Sequence, residues 1–179
     1  EQCIKVAGVP NPYTPKSKNI AVFFGDEKFP KPGKGYSSKK FRKALGIVAN
    51  VLNELDVRYV YLPCYKGANL IVAEILSRLE IPYTLVIAHP SFGSLSSNRQ
   101  KHQIVEASSK ADKTIMLGED TGPDVMFDVE AAKEDLIEYV TRHCNSIIIA
   151  HDDKPTEKFK KLLKEFDEEA FDKRFNFIY

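Results

Sequence analysis

Two periodicities alternate along the chain. From Asn19 onward, short runs that are apolar at nearly every residue take turns with longer stretches where apolar residues recur every third or fourth place. The first pattern fits a strand buried on both faces, and the second fits an amphipathic helix. Ile20-Ala21-Val22-Phe23-Phe24, closed by Gly25, predicts the first strand. A loop dense in Pro, Gly and Lys follows, DEKFPKPGKGY at residues 26 to 36. Ser37 or Ser38 can then cap a helix whose inner face carries Phe41, Leu45, Val48 and Leu52.

The same unit recurs. Strands are predicted at Arg58 to Pro63, Tyr83 to Ala88, Lys113 to Leu117 and Ser146 to Ala150, with a sixth at Arg174 to Tyr179. Helices are predicted at residues 67 to 80, Asn98 to Lys110, Val129 to Cys144 and Thr156 to Ala170. Strict alternation, with strands apolar on both faces, points to a parallel sheet covered by helices on both sides. The expected fold is therefore α/β: a doubly wound, mostly parallel open sheet of five or six strands. Residues 1 to 18, with three prolines and few apolar positions, read as an extended arm, and residues 19 to 179 as a single domain.

In such sheets ligands bind beyond the carboxyl ends of the strands, where neighbouring connections diverge. Five segments follow strands, and three are chemically suggestive. Gly25 stands where nucleotide folds turn tightly, and Asp26 or Glu27 could bind ribose hydroxyls or move a proton. A solvated loop is the plainer alternative for either acid. In Cys64-Tyr65-Lys66-Gly67-Ala68-Asn69, a helix start offers backbone N–H groups to an anion. There Gly67 permits close approach, Lys66 adds charge and Asn69 could meet a ribose or base edge. Glu74 lies two turns deeper along the same helix. The long segment from His89 to Arg99 offers His89 as a proton carrier, Phe92 as a stacking ring and Arg99 as a phosphate partner. The other two segments are acidic. Gly118 to Asp124 reads as surface, and Asp152-Asp153 after the last core strand could meet metal or ribose.

Composition narrows the classes. Lys and Arg total 26 against 25 Asp and Glu, for a net charge of +1, so nucleic acid is not an expected partner. The three cysteines are far apart and form no zinc-like spacing, which predicts no metal site and a reducing compartment. No apolar stretch is long enough to span a membrane, and a cytoplasmic location is expected. The chain opens on Glu1 rather than Met, which predicts a cut or processed N-terminus. Neither a phosphate-binding G-x-x-x-x-G-K-[ST] loop nor a G-x-S-x-G elbow occurs.

Taken in order, a strand ending in Gly, a G-A-N-L-x-x-A-E helix start, a Pro-x-Phe loop, a helix ending Lys-Ala-Asp and an I-I-I-A-x-D strand resemble the SLOG superfamily, nearest its YpsA-like branch and more distantly DprA and the LOG phosphoribohydrolases. The resemblance spans roughly residues 19 to 153. It implies a Rossmann-like fold that binds nucleotides or nucleotide-derived ligands. It aligns Gly67, Asn69 and Glu74 with the family's G-x-D-x-x-x-x-E helix start, Asn69 replacing the more usual Asp. Pro90 and Phe92 match its Pro-Phe loop, Arg99 falls near a basic residue there, and Asp152 matches the acid after its last core strand. The Gly-Gly-Thr phosphate loop of the family is replaced here by Asp153-Lys154-Pro155-Thr156, and the hydrolase signature of LOG proteins is absent.

Three functions follow in order of fit. The first is binding or sensing of a nucleotide-derived small molecule, with no required cofactor and a homodimer as a possible assembly. The second is hydrolysis of an N-glycosidic bond, with Glu74 as the catalytic carboxylate and Asp26 or Asp152 on ribose. The third is an interaction protein, viral or defence-related, with a vestigial pocket.

Overall fold

The computed structural model describes residues 19–26, 38–64, 68–88, 98–118, 129–151, 154–166, 171 and 173–178. The strands are β1 (Ile20–Gly25), β2 (Tyr59–Pro63), β3 (Tyr83–Ile87), β4 (Lys113–Met116), β5 (Ser146–His151) and β6 (Lys173–Ile178). The helices are α1 (Ser38–Glu54), α2 (Ala68–Arg78), α3 (Asn98–Lys110), α4 (Val129–His143) and α5 (Glu157–Lys164). The six strands form one sheet in the order β4-β3-β2-β1-β5-β6, and every neighbouring pair is parallel. The doubly wound α/β architecture predicted from the periodicity is present, with the sheet wholly parallel.

Alternate residues of β1 face opposite layers, as the two-residue strand period requires. Ala21 and Phe23 pack into a cluster with α1, α2 and α3 through Val48, Val51, Leu52, Val72, Ile75, Leu76 and Ala107. Val22 and Phe24 pack into a second cluster with α4 and α5 through Ala132, Leu136, Val140, Phe159 and Leu162. The helical residues recur at spacings of three and four, so each helix turns one apolar face to the sheet.

The path of the chain explains the two layers. Strands β1 to β4 step outward in one direction, then α4 carries the chain back to set β5 on the other side of β1. Connections therefore diverge between β1 and β5, whose carboxyl ends lie in register at Gly25 opposite Ala150. That is the switch point of the sheet.

One helix ends well short of its predicted boundary. Helix α5 stops at Lys164, not Ala170: Glu165 caps it, and Phe166 turns inward to meet Phe24 edge-on at 4.9 Å between ring centres. Residues 167–170 lie outside the described residues. Helices α1 and α2 close without glycine. Asp56 and Glu80 take left-handed φ values of 51° and 57°, and Val57 and Ile81 donate their N–H groups back to Leu52 and Leu76 carbonyls at 2.8 and 3.0 Å. These bonds reach five residues back, as in a Schellman closure.

Candidate functional site

The carboxyl end of β1 is held from two sides. On one side stands α2. Its first residue, Ala68, comes so close that a Cβ added to Gly25 would lie 2.4 Å from the Ala68 Cβ. Gly25 is thus required for space. Its N–H donates to Asn69 Oδ1 at 2.7 Å, and Asn69 Nδ2 donates to the carbonyls of Phe23 at 3.1 Å and Pro63 at 2.9 Å. Asn69 is 0% exposed, with both amide hydrogens committed to backbone. One side chain therefore clamps the ends of β1 and β2 to the first turn of α2.

On the other side stands the β5–α5 connection. The Asp26 N–H donates to the Ala150 carbonyl at 2.9 Å, continuing the β1–β5 ladder by one residue. The Asp26 carboxylate accepts the Thr156 N–H at 2.7 Å and the Thr156 hydroxyl at 3.0 Å. The Thr156 Oγ in turn accepts the Phe159 N–H at 3.2 Å and caps α5. Asp26 is 2% exposed. A buried carboxylate here is favoured by two donors and by the positive end of the α5 dipole. It fills the place that a phosphate takes at the start of a helix in many nucleotide folds.

These bonds reassign two predicted ligand residues. Asn69 was expected to reach a ribose or base, and Asp26 to bind ribose or carry a proton. Both are buried and bonded within the protein, so they shape the edge on which a ligand would rest. Glu74, expected as the catalytic carboxylate, is solvent-exposed and pairs with Arg78 at 2.9 Å one turn along α2. Six residues beyond Ala68, it sits about 9 Å down the helix axis, away from the carboxyl edge of the sheet. Gly25 closes the first strand, as the sequence predicts, and stands at the switch point. Arg99 falls in the first turn of α3. Lys66, Gly67, His89, Phe92 and Asp152 lie outside the described residues.

The sequence marked Thr156 only as the first residue of a predicted helix, and its bond to Asp26 spans 130 residues. No local pattern signals such a contact. Cys64 follows β2 directly; its N–H donates to the Val86 carbonyl at 2.8 Å, and burial pushes its thiol up to about 11. At neutral pH it is a protonated packing residue rather than a nucleophile. Among the described residues, no group of three or more His, Cys, Asp or Glu could hold a metal ion, and no helix is long and apolar enough to cross a membrane. Compared with protein-family models and with curated proteins, the chain matches none.

Proposed function

We propose that the protein binds a nucleotide or nucleotide-derived small molecule in the crevice between the carboxyl ends of β1 and β5. The observation that carries this reading is the clamp of Asn69 on Gly25, Phe23 and Pro63, which fixes the start of α2 over the end of β1. A helix start held this firmly presents its unpaired N–H groups without ordering cost, and such groups favour anionic ligands. The resemblance to the YpsA-like branch of the SLOG superfamily supports the same ligand class. The Asn in place of the usual Asp is accounted for, because an ionised carboxylate could not donate to two carbonyls.

Binding is favoured over bond cleavage. Glu74 is exposed, paired with Arg78 and distant from the edge, so it is poorly placed to stabilise a reacting sugar. The reading carries a reducing, cytoplasmic setting with it, in keeping with free thiols at Cys64 and Cys144.

A thermal-shift panel of AMP, ATP, NAD and ADP-ribose tests the proposal. A ligand at 100 times its dissociation constant adds about 2.7 kcal/mol, which for a chain of this size raises the midpoint by roughly 5–10 °C. Amide shifts in an NMR titration with the stabilising ligand should gather at Gly25, Asp26, Ala68, Ala150 and His151. No stabilisation across the panel, or shifts confined to another surface, would overturn the reading.

A further inference from the structure

We propose that Asp26 sets the specificity of the crevice. It closes the start of α5 to phosphate, so the crevice takes a nucleotide with phosphate at one end only and refuses one with a second phosphate on its ribose. This inference rests on the crevice reading above and adds to it which nucleotides are turned away.

Two helix starts meet the end of β1 from opposite faces of the sheet. Gly25 meets Ala68 and Asn69 at the start of α2, whose apolar face joins the cluster of Ala21 and Phe23. The next residue, Asp26, meets Thr156 at the start of α5, whose apolar face joins the cluster of Val22 and Phe24. Adjacent Cα atoms are only about 3.8 Å apart, so a nucleotide resting on the end of β1 lies beside both starts. On backbone grounds alone, each start would favour an anion. Their side chains make them unequal.

At α2, Asn69 spends its side chain on the strand ends and not on the N–H groups of its own helix. At α5 the donors are spent internally. A helix begins with four N–H groups that its own carbonyls cannot reach. In α5 these belong to Thr156, Glu157, Lys158 and Phe159, because the Lys160 N–H makes the first return bond, to the Thr156 carbonyl at 3.0 Å. The Thr156 N–H and hydroxyl both go to the Asp26 carboxylate, at 2.7 and 3.0 Å. The Phe159 N–H goes to the Thr156 Oγ. The residue before them is Pro155, which has no N–H to offer. A phosphate arriving there would have to displace a carboxylate that is 2% exposed and held by two donors. Leaving a buried carboxylate without those bonds is costly. The refusal thus comes from donors already used, and it holds whatever other groups surround Asp26. A ribose hydroxyl suits this side better, because it is neutral and can both donate and accept without displacing anything.

Isothermal titration of the full chain with AMP, adenosine 2′,5′-bisphosphate and adenosine 3′,5′-bisphosphate tests this. The native chain should bind AMP roughly tenfold or more tightly than either bisphosphate. In Asp26→Ala, which returns both Thr156 donors, that preference should shrink by about tenfold. If Asp26 merely braced α5, its removal would weaken all three ligands alike and leave their ratio untouched. An unaltered ratio in the variant, or a bisphosphate that binds the native chain as tightly as AMP, overturns the proposal. The native ratio keeps the test decisive if Asp26→Ala fails to fold. AMP binding without discrimination overturns this inference alone, whereas no binding of any of the three overturns the crevice reading and this inference with it.

Discussion

Replacing Asn69 by Ala strands three buried backbone groups at once: the Gly25 N–H and the carbonyls of Phe23 and Pro63. Leaving buried groups unsatisfied costs more than the net value of the bonds, so a loss of about 2–4 kcal/mol in urea denaturation is expected. Asn69→Asp should be at least as damaging at pH 7.5, since it forfeits both donations and buries a charge beside two carbonyls. Such a carboxyl has its folded pKa raised, so its deficit should shrink as pH falls to 5.5 and the protonated acid recovers one donation. A pH-independent deficit would mean that the carboxylate escapes to solvent. Gly25 gives a second residue-scale test. Gly25→Ala would force its Cβ against that of Ala68 and should cost about 1–3 kcal/mol. Adding Ala68→Gly should return part of this, seen as a favourable coupling in the double-mutant cycle.

At the scale of elements, the ends of α1 and α2 hold removable strain. Glu80 is exposed and adopts φ 57°, and a non-glycine residue in that region costs about 1–2 kcal/mol. Glu80→Gly is therefore expected to stabilise the protein by roughly 0.5–1 kcal/mol in chemical denaturation, the entropy of the freer unfolded chain taking back the remainder. Most elements were legible because burial on both faces writes itself as an unbroken apolar run, as in Ile147-Ile148-Ile149. The closure of α2 was less so. Its αL residue is Glu80 rather than the glycine that usually marks such a stop, and the turn is set by backbone bonds. The end of α5 was misjudged for a tertiary reason. The apolar spacing continues through Phe166, but that ring is drawn off the helix by Phe24 and Phe171 in the core.

Over the whole molecule, buried weak acids set the response to alkali. Burial pushes the Cys64 thiol up to about 11 and the Tyr83 hydroxyl, which donates to the Ala107 carbonyl at 2.5 Å, up to about 12. It also raises Tyr59, Tyr61 and Tyr139 above the ordinary tyrosine value. Each group keeps its proton in the folded state at a pH where the unfolded chain has lost it. Stability should therefore fall as pH climbs from about 9 through 11, and thermal midpoints measured across that range should drop. Cys64→Ala should flatten the early part of the decline. The location of the candidate site was legible in the same global sense, because alternation of strands and helices dictates which edge a ligand meets. The tasks of Asp26 and Asn69 were not. Both depend on partners from distant segments, and a hydrophilic side chain looks alike in sequence whether it greets a ligand or braces a backbone.

The strand order leaves β5 shielded on its outer side by β6 alone. SIIIAH is almost wholly buried and contains no proline, aspartate, glutamate, lysine or arginine. A chain terminated after residue 170 would bare the amides and carbonyls along that strand, and nothing in it would repel a second copy. Such a truncation should form light-scattering, thioflavin-positive material where the full chain stays clear. The last few residues would then be the guard that keeps the most adhesive strand of the protein from recruiting its own kind.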